Sequence, residues 1–132
     1  MPTGSFEDLQ VYQLAETLAD DVWCIVVAWD AFARETVGKQ LVKAADSIGA
    51  NIAEGTGSYQ DNRRFIRIAR GSLYETRYWL RRAYKRKLLS DEHISKLKPI
   101  IQDLSPKLNV YLRSIGKASR APITNGPTTN DQ

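Results

Sequence analysis

The chain has 132 residues with one cysteine, one histidine and 42% hydrophobic residues, and its formal net charge is +4. That length suits one domain whose core stands without disulfides or metal. A lone Cys24 and a lone His93 exclude a disulfide framework, a multi-cysteine zinc site, an HExxH site and the paired ExxH ligands of a di-iron bundle.

The hydrophobic periodicity predicts four helices and no strand, in a single domain over residues 6–116 after a short lead at 1–5. The first helix spans residues 6–29, opened by a capping box from Ser5 to Asp8. Val11, Leu14, Ala15, Leu18, Val22, Ile25 and Trp29 form its core stripe. The second spans residues 34–54, with Val37, Leu41, Ala44, Ile48 and Ile52 inward and helix-stop chemistry at Gly55 to Ser58. The third starts at Asp61 or Asn62 and spans residues 61–87, with Phe65, Ile68, Ala69, Ser72, Leu73, Thr76, Trp79, Leu80 and Ala83 inward. A fourth spans residues 91–115 after a cap at Ser90, carrying Ile94, Leu97, Ile101, Leu104, Leu108, Tyr111, Leu112 and Ile115 inward. Pro99 and Pro106 fall inside it, so a kink or a broken first half is expected. Residues 117–132 are polar, aperiodic and rich in Gly, Pro, Thr and Asn, and read as a disordered tail. Four amphipathic segments with short links imply an all-α, up-down-up-down four-helix bundle.

Charge is unevenly laid along these helices. Residues 1–33 hold six acidic residues and no Lys or Arg, while residues 61–87 hold ten basic residues against Asp61 and Glu75. At about 100° per residue, Arg63, Arg67, Arg70, Tyr74, Arg77, Arg81 and Lys85 fall within about 40° of one line on the third helix, with Tyr78 beside it and the apolar face taken to lie opposite. Guanidinium forks suit phosphate oxygens and tyrosines can stack on unpaired bases. The row therefore points to sequence-independent, salt-sensitive binding of RNA or DNA. A solvated face, or pairing with the acidic first helix, is the competing reading. The first helix also carries a second apolar stripe, Tyr12, Ala19, Trp23 and Val27. It implies either an interface with another copy or a wide core. The second helix has a small-residue stripe, Gly38, Val42, Ala45 and Gly49, read as internal packing.

Three blocks carry a family resemblance: Phe6-Glu-Asp-Leu9 with Val11-Tyr12, Ser47 through Gly55 (SIGANIAEG), and Phe65 through Glu75 (FIRIARGSLYE). They resemble the small bacterial four-helix-bundle family of intervening-sequence proteins encoded in insertions of large-subunit ribosomal RNA genes. Relatives of that family include the accessory variability proteins of diversity-generating retroelements. The resemblance implies a ring-like homo-oligomer, a pentamer, with a basic surface, and, through the retroelement relatives, nucleic acid and a reverse transcriptase as partners; it brings no well-established activity for most members, and no enzymatic activity is expected. Gly49 stands where the family block has proline. Asn51, Glu54 and Glu75 fall in the family motifs and are expected to form a structural polar link between helices two and three, with Arg67 or Arg70 as partners. A paired-carboxylate catalytic site is the rival assignment, without a metal-ligand histidine or a nucleophile constellation to support it. No cofactor and no metal site is expected. Cys24 is expected to be packed and His93 exposed and inert. Residues 1–18 lack a signal-peptide pattern and the apolar run Val22 to Trp29 is too short to span a bilayer. The expected setting is therefore cytoplasmic, without a membrane partner.

Overall fold

Leu9 decides where the first long helix begins. In the computed structural model, which describes the backbone of residues 5–120 and the side chains of residues 5–115, Phe6–Asp8 is a 3-10 turn and Leu9 is extended (φ −76°, ψ 132°). Helix α1 therefore starts four residues later than expected and runs Gln10–Val27. The capping box is not formed, because the Ser5 hydroxyl donates to the Glu7 carboxylate instead.

The second helix starts earlier than its periodicity implied. Asp30 caps it, its Oδ1 accepting from the Ala33 N–H at 3.1 Å, a bond that satisfies one of the free donors at a helix start. A first turn, Ala31–Ala33, passes into a π-helical turn, Arg34–Gly38, and then into helix α2, Lys39–Thr56. At Gly38 a Cβ would lie 2.6 Å from Val26 Cγ1, so the chain of α2 is pressed onto α1 there. Gly38, Ala45 and Gly49 are all buried. The small-residue stripe is thus internal packing against α1, with the Tyr12 ring 3.4 Å from where a Gly49 Cβ would sit.

Helix α3 runs Asn62–Lys85. Asp61 makes no side-chain cap bond; it pairs at 3.8 Å with Arg64 instead. The Leu88 N–H reaches back to the Ala83 carbonyl and the Lys87 N–H to that of Tyr84, which ends the helix. Helix α4 runs Asp91–Arg120 and is unbroken through Pro99 and Pro106. Both prolines lie on the wet side, as do Ser95 and Gln102, whose carbonyls lose their donors. Water can take those carbonyls, so the expected break does not occur. Residues 117–120, expected in the tail, continue α4. Residues 121–132 of that tail, and residues 1–4 of the lead, lie outside the described residues.

Each helix packs on its sequence neighbours and α1 also packs on α4, whereas the diagonal pairs, α1 with α3 and α2 with α4, do not approach. This is an up-down-up-down four-helix bundle, without strands among the described residues. Leu18, Leu41, Ile48, Leu73, Leu104 and Leu108 are fully buried at its centre. One inward position was misplaced: Ile68 is 41% exposed and Ile66 is fully buried. The core arc of α3 is centred about 60° from Ile66 and about 100° from Ile68.

Candidate nucleic-acid interface

The cation row is continuous because α3 is continuous from Asn62 to Lys85, about 33 Å between the first and last cation at 1.5 Å per residue. Arg67, Arg77, Arg81 and Lys85 are exposed and Arg63 and Arg70 are half-buried. Tyr74 and Tyr78 are 52% and 53% exposed, and the Arg77 guanidinium stands over the Tyr74 ring at 6.0 Å. Arg70 donates to Asn109 Oδ1 on α4 at 3.3 Å, a neutral partner that leaves its charge uncompensated. The ion pairs among the described residues join Arg64 to Asp61, Lys96 to Asp21 and Lys107 to Asp103. None takes a cation of the row.

The row is not directly opposite the core. It lies about 110–130° round from the centre of the buried arc, which brings its edge to the seam between α3 and α4. Arg77 and Arg81 line a groove of about 540 Å³ along that seam. The acidic helix α1 is diagonal to α3, out of its reach within the chain. Asp21 of α1 pairs with Lys96 of α4 instead, at 3.6 Å. Asp46 of α2 faces Asp20 of α1; burial first and the Asp20 charge second hold its carboxyl above the ordinary aspartate range. The molecule is therefore electrostatically two-sided, acidic along the α1 edge and basic along α3.

The second stripe of α1 divides. Tyr12 and Ala19 are half-buried. Tyr12 packs edge-on to Phe6 at 4.8 Å and donates to Glu16 Oε2 at 3.1 Å. Burial, then that bond, pushes its hydroxyl above the usual tyrosine range. Trp23 and Val27 stay 56% and 48% exposed, and Phe32 beyond them is 80% exposed. Cys24 is exposed too, not packed, because it lies about 120° from the Leu18 core line. His93 is half-buried and engaged rather than inert: its Nδ1 accepts from the Ser90 backbone N–H and its own backbone N–H donates to Ser90 Oγ, both at 3.1 Å, a reciprocal cap for α4.

The polar link between α2 and α3 exists, but two of its three expected members are absent from it. Asn51 donates to the Ser47 carbonyl at 2.8 Å and to Ser47 Oγ at 3.0 Å, and the Ser47 and Ser72 hydroxyls share a 2.8 Å bond across the helices. Glu54 and Glu75 are exposed and in no ion pair with a described residue, since their positions on α2 and α3 turn them to solvent. Ser47 and Ser72 were the residues to look for, both inside the recognised blocks. Gly71 also stands beside the row. It is exposed, in mid-helix, with open space where a Cβ would go. It sits between Arg67 and Tyr74 on the flank of the row. Glycine there costs about 1 kcal/mol of helix stability relative to alanine.

The family model of the 23S rRNA-intervening sequence protein matches residues 7–110. The chain belongs to that family. The part that matches the 23S rRNA-intervening sequence family contains α1, α2 and α3 entire and α4 as far as Val110, and so contains the cation row, the Ser47–Ser72 link and the groove. None of the curated proteins matches the chain significantly. Among the described residues, no helix is long and apolar enough to cross a membrane.

Proposed function

We propose that this protein is a non-enzymatic, oligomeric nucleic-acid-binding protein that holds the phosphate backbone of RNA or DNA along the basic face of α3. One observation carries the reading: a row of cations about 33 Å long that no described carboxylate neutralises. Its charge is Arg-rich, which suits forked bonds to phosphate, and it presents two half-exposed tyrosines. Backbone contacts of this kind hold a polyanion without reading its sequence. The family's name ties its members to ribosomal RNA, which favours RNA as the ligand. The exposed Trp23, Val27 and Phe32 edge serves self-association. The setting is cytoplasmic, in keeping with a free, exposed Cys24.

The test is a salt titration of binding to structured RNA. Replacing Arg67, Arg70, Arg77 and Arg81 by Gln lowers affinity and flattens the log–log salt slope by about 3 units, at roughly 0.7–0.9 per lost phosphate contact. An unchanged slope would refute the assignment.

The diagonal placement of acidic α1 and basic α3 favours a second reading, a scaffold. In it the α1 edge of one copy meets α3 of the next, a heterologous contact that closes into a ring, and nucleic acid has no part.

A further inference from the structure

We propose that the groove between α3 and α4 receives unpaired nucleobases, so that the basic face takes a single strand or an RNA loop in preference to continuous duplex. This rests on the reading of α3 as a phosphate-binding face and names the ligand class of that face.

Phosphate binding alone does not account for what lies along the seam. Its floor is apolar: Leu80 and Leu97 are buried, and Ile94 and Ile101 are half-buried. A hydrated phosphate gains nothing from such a surface, and a duplex keeps its base faces stacked inside. An unpaired base offers a flat apolar face and a polar edge. The floor suits the face, and Gln102 on the α4 wall supplies both a donor and an acceptor for the edge.

Charge decides between this occupant and an apolar peptide. Arg77 and Arg81 on one wall and Lys98 on the other are exposed cations. The acidic group on the lining, Asp91, is engaged by the Tyr84 hydroxyl, which donates to its Oδ1 at 3.1 Å. That bond also fixes the half-exposed Tyr84 ring at the groove's end. Arg77 and Arg81 belong both to the cation row and to the groove wall, so a backbone tracked along the row delivers its bases to the apolar floor. Positive track plus stacking surface is how proteins hold single strands without reading sequence.

The experiment uses the full chain and three fluorescent probes at matched salt. These are a single-stranded oligonucleotide of about 12 nucleotides, within the usual single-strand site range, the same backbone made abasic, and a duplex of the same sequence. The expected result is that the single strand binds about tenfold or more tighter than the abasic strand, the scale of one or two stacked bases. Ile101→Gln should abolish that margin and leave abasic binding unchanged. A probe carrying 4-thiouridine, which needs no variant, should photocrosslink to Tyr84. Equal affinity for single and abasic strands overturns the groove assignment and leaves the phosphate reading standing. No binding by any probe at low salt removes both. Crosslinks confined to Tyr74 and Tyr78 would put the bases on the outer face and overturn the proposal. So would an Ile101→Gln protein that keeps the base margin, or one that dissociates to monomers with the margin intact, which would give the groove to a second copy.

Discussion

Lys87 has φ of 63°, the left-handed region that a side chain enters at a cost of about 1–2 kcal/mol. It stands where a helix ending of this type ordinarily has glycine. The Leu88 N–H bonds to the Ala83 carbonyl at 2.8 Å and the Lys87 N–H to that of Tyr84 at 3.0 Å, and only a left-handed residue at 87 allows both. Leu88 then packs onto the core, which holds the strained conformation in place. Lys87→Gly should therefore stabilise the fold by about 1 kcal/mol, read as a rise of several degrees in the thermal midpoint by circular dichroism. An unaltered midpoint would mean that this turn is unstrained. Lys87 is not one of the residues of the cation row, so the same variant should keep its nucleic-acid affinity.

Two helical glycines show how neighbours decide what a helix position tolerates. Gly38 lies where α1 and α2 touch; a Cβ there would meet Val26 Cγ1 at 2.6 Å and the Ala33 carbonyl at 3.3 Å. Val26 is buried and β-branched, with little freedom to turn aside. Gly38→Ala should cost about 1–3 kcal/mol as an overpacked core site. Gly71 has open space instead, and Gly71→Ala should add about 1 kcal/mol. Paired chemical denaturation curves give the two signs directly. If Gly71 lets a phosphate backbone come close to α3, Gly71→Ala will bind nucleic acid more weakly while being the more stable protein. Contrasts of this kind also mark the limits of what a sequence discloses. The helices themselves were legible, because within each of them apolar residues recur at helical spacing, as Val11, Ala15, Leu18 and Val22 do on α1, and burial follows spacing. Their ends were less so, since Leu9 and Asp30 act through backbone angle and a single cap bond. The cation row was legible from α3 alone. The groove was not, because it belongs to two helices, and neither Leu80 nor Ile94 carries a mark of its partner. For the same reason the bond between Ser47 and Ser72 was not legible, although Ser72 reads as inward, while the charged Glu54 and Glu75 stood out.

At the scale of the whole molecule, acid and base sit on diagonal edges of one bundle, and the acidic edge also exposes Trp23 and Val27. An exposed apolar edge of this kind is the surface that the proposed self-association would bury. Trp23→Glu places a charge in it and, if the protein self-associates through this edge as proposed, should reduce that assembly, by light scattering, to a species of 14.9 kDa. The binding of that monomer then separates the two readings of the protein. If the α1 edge docks away from α3, every copy keeps its cation row, so a short oligonucleotide binds the monomer as well as the wild type. A long RNA binds it more weakly, because several rows no longer act together and effective concentration is lost. If the α1 edge covers α3 of the next copy, the wild-type assembly hides its cations, and Trp23→Glu uncovers them. The monomer would then bind both short and long polyanions more tightly than its parent. A loss confined to long RNA supports the nucleic-acid role, whereas a gain on both would make the bundle a scaffold held together by its own opposite charges.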